Sequence, residues 1–121
     1  MKNLVWLASY PRSGNTWLRV FLTNLLGGTG DRPAVINNLD RTPVFKSAHF
    51  LEDALGYEVD CLSEEEVERL IPDIVAWHSR RAGARSFHKI HDVFQPLLVP
   101  AAATKAAIYL IRNPLDVCVS F

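Results

Sequence analysis

A short apolar segment, a tight loop and an amphipathic segment follow one another at the start of the chain. Residues 4–8, Leu-Val-Trp-Leu-Ala, form an apolar run ended by turn residues, which predicts a buried β-strand. Apolar residues then recur at helical spacing from Trp17 to Leu26, which predicts an amphipathic helix with Arg19 and Thr23 on its polar side. A loop that ends at a helix start directs free backbone N–H groups and the positive end of the helix dipole to one point. The segment therefore predicts an anion site.

The residues of this loop exclude the commonest kind of phosphate loop. Residues 9–16 read Ser-Tyr-Pro-Arg-Ser-Gly-Asn-Thr. The nucleoside-triphosphatase loop, G-x-x-x-x-G-K-[ST], needs a lysine directly after its last glycine to reach the β- and γ-phosphates. Here Asn15 stands in that position, and the cation is Arg12, two positions before Gly14. An ordinary ATPase or GTPase is therefore disfavoured, while Arg12 and the hydroxyls of Ser13 and Thr16 are expected to hold an anion.

Two segments resemble those of sulfotransferases that use 3′-phosphoadenosine 5′-phosphosulfate (PAPS). The loop is similar to the family's 5′-phosphosulfate segment, Y-P-K-S-G-T-T-W, and residues 108–121 are similar to its 3′-phosphate segment, R-N-x-x-D-x-x-V-S. The resemblance implies an α/β, P-loop-like three-layer fold with a parallel central sheet. Residues 1–121 would be the N-terminal part of a single such domain, truncated after the 3′-phosphate segment. The resemblance also implies that the donor is bound by Arg12, Ser13, Gly14, Asn15, Thr16, Trp17, Arg112 and Ser120.

The sequence leaves open the roles of three residues in and next to the loop. Arg12 replaces the family's usual lysine, and the resemblance implies a catalytic role for it. Its positive charge can stabilise the leaving oxygen, but arginine is a poor proton donor to that oxygen. Asn15 replaces a threonine, and its backbone N–H can still serve the loop. The resemblance implies that Trp17 stacks on adenine, although helical periodicity equally allows Trp17 to be a core residue.

A histidine at a strand end is the candidate catalytic base. His91 ends a segment, residues 86–91, that reads as a second strand and resembles the family's K-T-H strand end. Alternation along a strand predicts Lys89 and His91 on one face and His88 on the other. The resemblance implies that His91 is the general base and that Lys89 supplies charge to the transferring group. A solvated strand-edge lysine is the alternative reading of Lys89.

The rest of the chain reads as further α/β structure. Ser63 and Glu66 form a capping box before a helix that runs towards Arg80 and Arg81, with Pro72 expected to kink or divide it. Residues 106–111 read as a third strand, and Asn113 can cap a helix that starts at Pro114. A glycine-rich loop is expected at residues 27–30. Residues 34–57 are irregular, and they are expected to form loops and short helical turns that are part of an acceptor pocket or its lid.

Composition sets limits on partners and compartment. The chain has 121 residues, with 13 basic residues balancing 13 acidic ones, so no overall charge attracts nucleic acid or a membrane surface. No apolar run has the length of a membrane span. Cys61 and Cys118 are isolated, which favours a reducing cytoplasm. No residues have the spacing of a metal site, so no metal is expected.

The resemblance implies a sulfotransferase that moves a sulfuryl group from PAPS to a hydroxyl, or less readily an amine, of a small-molecule, glycan or lipid acceptor. The last helix starts within two turns of Phe121, which predicts that the chain is the N-terminal part of a longer enzyme. One alternative is a nucleotide-dependent, kinase-like phosphotransferase. Another is an inactive, truncated nucleotide-binding module. The acceptor and the oligomeric state stay open.

Overall fold

Three parallel strands form the sheet. They are β1 (Leu4–Ser9), β2 (Ser86–Ile90) and β3 (Thr104–Leu110), in the order β2-β1-β3. The computed structural model describes residues 1–27, 33, 36, 37, 39, 41–96 and 98–121. The parallel α/β sheet expected from the sequence is confirmed. The observed strand ends differ from the expected ones by one or two residues.

Helices cover the sheet and connect its strands. They are α1 (Asn15–Leu26), α2 (Ala48–Leu55), α3 (Glu64–Ala82) and α4 (Pro114–Ser120), with a short 3₁₀ turn at Val59–Cys61. None of the helices in the described part of the chain combines the length and apolar character required to cross a membrane.

The main hydrophobic core lies on one face of the sheet, under α2 and α3. Leu4 and Trp6 of β1 pack there with apolar residues of both helices; the helical members are Phe50, Leu51, Ile71, Ile74 and Val75. By alternation, Val5 and Leu7 point to the opposite face, where they are buried too. A central parallel strand buried on both faces needs a nearly continuous apolar sequence, which is what residues 4–8 provide.

The two edges of the sheet are covered to different extents. Residues 43–45 run beside β2, where the N–H of Phe45 donates to the carbonyl of Lys89 and the N–H of Lys89 donates to the carbonyl of Pro43, both at 2.8 Å. At the other edge, residues 105–109 of β3 are exposed. The β2 side is therefore the well-packed half of the molecule.

The capping box predicted for helix α3 is confirmed, and Pro72 does not divide the helix. The Oγ atom of Ser63 accepts from the N–H of Glu66, and Oε2 of Glu66 accepts from the N–H of Ser63 at 2.8 Å. The helix continues through Pro72 to Ala82. A proline removes one backbone hydrogen bond, and burial of the helix face formed by Ile71, Ile74 and Val75 offsets that loss.

Helix α1 turns a different face to the protein than its apolar pattern predicts. Arg19 is buried, because its Nε and Nη2 donate to the carbonyl of Thr42 at 3.1 and 2.8 Å. The apolar residues Trp17, Phe21 and Leu25 are exposed instead. The prediction that Arg19 lies on the solvent side was therefore wrong: carbonyl and hydroxyl acceptors on Thr42 make its burial favourable.

The stretch expected to form loops and short helical turns contains the two-turn helix α2. Ser47 caps α2 by accepting from the N–H of Phe50 at 3.2 Å, and Gly56 ends it in a left-handed conformation with φ of 77°. The expected glycine-rich loop falls largely on residues 28–30, which lie outside the described residues, as do residues 34, 35, 38 and 40 of the expected acceptor segment.

Candidate active site

The carboxyl ends of the three strands meet at one edge of the sheet. Ser9, Ile90 and Leu110 end β1, β2 and β3, and the parallel register brings these ends together. The segments that follow them carry Arg12, His91 and Arg112. Crevices at the carboxyl ends of parallel strands are where open α/β sheets bind ligands.

The loop after β1 ends in a helix start that has no side-chain cap. Gly14 is the N-cap residue of α1, with φ of 97°, and it offers no side chain to the first N–H groups of the helix. Arg12 also has a positive φ, of 65°. Two left-handed residues within three positions turn the chain sharply, and they leave the N–H groups at the start of α1 available to an anion.

Arg12 and Arg112 connect this loop to the last helix. The Nε of Arg12 donates to the carbonyl of Ser120 at 2.8 Å, and its Nη2 donates to the same oxygen. In turn, Nη1 of Arg112 donates to the carbonyl of Arg12 at 2.9 Å. Three of the residues predicted to bind the donor are thus neighbours, although about a hundred positions separate Arg12 from Arg112 and Ser120 in sequence. Asn113 caps α4 as expected, with its Oδ1 accepting from Leu115.

Asn15 and Trp17 occupy opposite environments. The Nδ2 of Asn15 donates to the carbonyl of Leu7 at 2.8 Å and to Oγ of Ser9 at 3.1 Å, so its side chain lies beneath the loop. Only the backbone N–H of Asn15 remains for a ligand. Trp17 is 69% exposed and stacks on Phe21 with the two rings 5° from parallel. The reading of Trp17 as a core residue is therefore wrong. Its predicted contact with adenine stays a prediction.

His91 is exposed and its tautomer is set by one backbone oxygen. Its Nδ1 lies 2.7 Å from the carbonyl oxygen of Ser9 and 3.4 Å from Oγ of the same residue. A carbonyl oxygen only accepts, so Nδ1 must carry the proton and donate it. In the neutral ring Nε2 then has a free lone pair, which is the form that a general base requires.

A cavity of about 550 Å³ opens beside His91. We call it the carboxyl-end cavity. Its lining is mostly apolar and aromatic and includes Trp6, Tyr10, Ile90, Phe94, Val99 and Tyr109. None of the described residues from 34 to 57 lines this cavity, and the expectation that this stretch forms part of an acceptor pocket or its lid stays a prediction. The sequence signal that was missed is the apolar segment Val93-Phe94 directly after His91, since loops at strand carboxyl ends line ligand sites.

Lys89 is not among the residues that line the cavity. Burial lowers the pKa of its ammonium group, and the positive charge of Arg19 lowers this pKa further. The neighbourhood of Arg19 places Lys89 beside α1, away from the Trp6 face of the sheet. The alternation that groups Lys89 with His91 stops at Ile90, because His91 lies just beyond the strand. A role for Lys89 in catalysis stays a prediction.

Within the described residues, no three His, Cys, Asp or Glu side chains are arranged to hold a metal ion. The expectation that the reaction uses no metal stays a prediction. The chemical groups of the candidate site are thus the arginine cations, the backbone N–H groups at the start of α1 and His91.

Comparison with known proteins identifies the family. The family model described as Sulfotransferase domain matches residues 2–121. The chain belongs to this family. It is 33% identical over 116 residues to Sulfotransferase 2A1 of Macaca fascicularis, a match that covers 96% of this chain and 33% of that protein. The chain thus spans about a third of the length of the sulfotransferase it matches. Sulfuryl transfer is the chemistry common to the family.

Proposed function

We propose that this sulfotransferase-family chain carries the donor-binding groups and the general base of an enzyme that transfers a sulfuryl group from PAPS to a hydroxyl, or less readily an amine. The observation that carries the proposal is the hydrogen bond from Nδ1 of His91 to the carbonyl of Ser9. It leaves Nε2 as a proton acceptor beside the carboxyl-end cavity. A positioned base of this kind contributes about a hundred- to ten-thousand-fold to a rate.

The transfer step is an in-line displacement at sulfur. The acceptor oxygen forms a bond to sulfur, while the bond from sulfur to the bridging oxygen of the donor breaks. The electron pair of that bond leaves with the 5′-phosphate of adenosine 3′,5′-bisphosphate. The proton of the acceptor hydroxyl moves to Nε2 of His91. Charge therefore grows on the leaving phosphate, and cations and N–H groups near it lower the barrier.

The first donor-binding group is the loop after β1. The N–H groups at the start of α1 and the hydroxyls of Ser13 and Thr16 suit the 5′-phosphosulfate, and Gly14 lets it approach the backbone. Asn15 contributes its backbone N–H. Arg12 uses part of its guanidinium on the carbonyl of Ser120, and its other N–H groups are available to the leaving phosphate.

The second donor-binding group is the start of α4 and its neighbours. Arg112 precedes the capped helix, and the Ser120 hydroxyl lies one residue from the end of the chain. We assign the 3′-phosphate to Arg112 and Ser120, and the adenine ring to the exposed face of Trp17. The hydrogen bond between Arg112 and the Arg12 backbone supports a single ligand that spans both groups. The leaving group is a good one, so the step requires no metal.

Calorimetry with two nucleotides tests the donor. We expect adenosine 3′,5′-bisphosphate to bind more tightly than ATP with magnesium. Arg112→Gln should weaken that binding by about tenfold or more, which corresponds to losing a charge-assisted contact. Arg80→Gln is the matched control, because Arg80 is exposed near the end of α3 and remote from the strand carboxyl ends.

Three results would contradict the proposal in different ways. Tighter binding of ATP with magnesium would indicate a phosphotransferase. Binding of adenosine 3′,5′-bisphosphate without any transfer of labelled sulfuryl groups would indicate a nucleotide-binding module. Equal affinity of the Arg112→Gln and Arg80→Gln variants would place the 3′-phosphate elsewhere.

A further inference from the structure

The amide side chain of Asn15 is buried beneath the loop after β1, and the proposed transfer does not use it. Asn15 is the first residue of α1, so its backbone N–H belongs to the helix start that is available to an anion. Its side chain turns back to the end of β1 and leaves the residue only 4% exposed. Ser9, which ends β1, is buried to the same extent. Asn15 therefore lies between the donor-binding loop and the strand that leads into it.

The two hydrogen bonds of this amide tie α1 to the end of β1. One amide atom lies 2.8 Å from the carbonyl oxygen of Leu7, and because a carbonyl oxygen only accepts, that atom must be Nδ2. Nδ2 carries two hydrogens, and it donates the second to Oγ of Ser9 at 3.1 Å. Both donors of Asn15 are thus used within the last three residues of β1.

Ser9 continues this connection to His91. Its carbonyl oxygen accepts from Nδ1 of His91 at 2.7 Å, and its Oγ lies 3.4 Å from the same nitrogen. That Oγ is also the atom to which Asn15 donates. A serine side chain has three staggered rotamers, and the bond from Asn15 selects the one that places Oγ beside the His91 ring. Residues of α1, β1 and the segment after β2 thus form one hydrogen-bonded series.

An asparagine meets the demands of this position better than a threonine, which is the residue that the family pattern has here. Threonine has a single hydroxyl hydrogen, so it could donate to only one of the two acceptors on Leu7 and Ser9. Asn15 donates to both. The departure of this chain from the family pattern therefore adds a hydrogen bond next to the residue that holds His91.

The amide is present although half of it is unsatisfied. Oδ1 of Asn15 is buried, and no described residue donates a hydrogen bond to it. An unpaired buried acceptor costs about 1–3 kcal/mol. This cost indicates that the contacts of Nδ2 serve the site rather than stability alone.

We propose that Asn15 is a positioning residue for His91: by holding Ser9, it keeps the Ser9 carbonyl on Nδ1 and so keeps Nε2 free of a proton. The tautomer of a histidine ring is set by the hydrogen bond that its other nitrogen makes. The inference rests on the proposed function, in which Nε2 receives the acceptor proton. It adds that one residue serves both parts of the site, with its backbone N–H in the donor loop and its side chain behind the base.

The ring nitrogen signals of His91 in nuclear magnetic resonance test the proposal. At about pH 8 an ordinary histidine ring is neutral, and its protonated and bare nitrogens have well-separated chemical shifts. We expect a protonated Nδ1 and a bare Nε2 in the natural chain. Asn15→Leu keeps a side chain of similar size and removes both donors, so the two shifts should move towards each other as the other tautomer becomes populated. The signals that disappear in His91→Gln identify the ring.

Asn24→Leu is the matched control, because it makes the same change at an exposed position of the same helix. It should leave the His91 signals unchanged. Asn15→Thr keeps one donor and should retain more of the Nδ1–H tautomer than Asn15→Leu. If Asn15→Leu does not fold, Ser9→Ala replaces it, because this variant removes the hydroxyl between Asn15 and His91 and keeps the carbonyl. It should shift the tautomer in the same direction.

Steady-state kinetics with PAPS and 2-naphthol separate positioning from donor binding. Asn15→Leu should lower kcat about ten- to a hundredfold, which is less than the loss of the base itself. The KM for PAPS should change by less than about twofold, because the backbone N–H at this position remains. Asn15→Thr should restore part of kcat.

Two outcomes would overturn the proposal. The first is a His91 tautomer that is the same in the natural chain and in the folded variant that breaks the series. The second is a higher KM for PAPS with an unchanged kcat in Asn15→Leu, which would assign the side chain to donor binding. Both would leave His91 standing as the proposed base. If the natural chain transfers no sulfuryl group while Asn15→Leu still changes the tautomer, the proposed function fails and the positioning role is supported.

Discussion

Two histidines, one in the middle of β2 and one just after it, have opposite properties, although only three positions separate them. His91, at the carboxyl end, is exposed and held by one backbone carbonyl. His88 is almost fully buried, with the rings of Trp6, Phe50 and His78 all within 6 Å of its own. Burial lowers the pKa of His88 to about 4. The same type of side chain thus lies exposed beside the carboxyl-end cavity in one place and is a buried packing group in the other.

The difference follows from where the sheet is covered. Helices α2 and α3 pack over the Trp6 face and bury His88 among apolar side chains. At the carboxyl end the chain leaves the strand, and the residues after it stay open to solvent. The proposed binding groups lie in the sparsely packed region, and the main hydrophobic core lies in the other. The following predictions test this contrast, from the largest expected effect to the smallest.

Replacing the exposed histidine should affect the reaction and leave the fold unchanged. His91→Ala removes the proton acceptor, so sulfuryl transfer should fall about a hundred- to ten-thousand-fold. The free energy of unfolding should change by less than about 0.5 kcal/mol, because the ring is exposed. Transfer assays and urea unfolding measure the two effects. Added imidazole should restore part of the rate, and a variant that keeps more than about a tenth of the activity would rule out His91 as the base.

Truncating a phenylalanine to alanine should lower the free energy of unfolding much more in the packed region than in the open one. Phe50 is 1% exposed and Phe94 is 71% exposed. Phe50→Ala should lower the free energy of unfolding by about 3–5 kcal/mol, because it leaves a cavity in the core. Phe94→Ala should change it by less than about 0.5 kcal/mol. Urea unfolding curves of both variants make the comparison, and similar losses for the two would remove the distinction between the packed and open regions.

Acid should destabilise the protein through the buried histidine. The pKa of His88 is about 4 in the folded chain, against 6.5 for an ordinary histidine. Between these pH values the unfolded chain binds a proton that the folded chain does not. The stability is therefore complete above about pH 6.5 and declines towards pH 4, by on the order of 3 kcal/mol in total. Burial also lowers the pKa of His78, which adds to the decline.

Urea unfolding at about pH 7 and about pH 5 measures this effect, of which about 2 kcal/mol should be lost by the lower pH. His88→Phe keeps a ring of similar size and removes the titrating group. Its stability should fall less over the same interval. An identical decline in the variant and the natural chain would show that other groups cause the acid sensitivity.

The smallest effect is expected from an ion pair near His91. Lys46 Nζ lies 3.7 Å from Oδ1 of Asp92, and both side chains are partly exposed. Such pairs contribute about 0–1 kcal/mol because water screens them. Lys46→Gln should therefore lower the free energy of unfolding by no more than about 0.5 kcal/mol. A loss well above 1 kcal/mol would mean that the segment after β2 is held more firmly than its exposure suggests.

Much of the framework could be predicted from short-range sequence signals. The apolar run at residues 4–8, the Ser63 capping box and the Asn113 cap all lie where local chemistry puts them, since each depends on neighbours within a few residues. The resemblance of the two end segments also indicated the family before any contact was known. That indication is now confirmed by the family match over residues 2–121.

Long-range contacts could not be predicted in the same way. Arg19 is buried because Thr42, 23 positions away, offers two oxygen acceptors, and no helical pattern contains that information. The carboxyl-end cavity draws on β1, β2, β3 and the loop after His91, and no single stretch of sequence shows that these segments meet. Likewise, the left-handed conformation of Arg12 and its bond to Ser120 depend on the completed tertiary structure.

The position of β1 in the sheet has a consequence for how the protein is made. Leu4 pairs with Ser86 on one side and with Thr104 on the other, so the earliest of these three strands to be synthesised is the one that needs both of the others. At about 5–20 residues per second, β1 has no partner strand for roughly 4–16 s. During that interval an apolar six-residue strand is unprotected, and its capture by chaperones or by other nascent chains competes with folding.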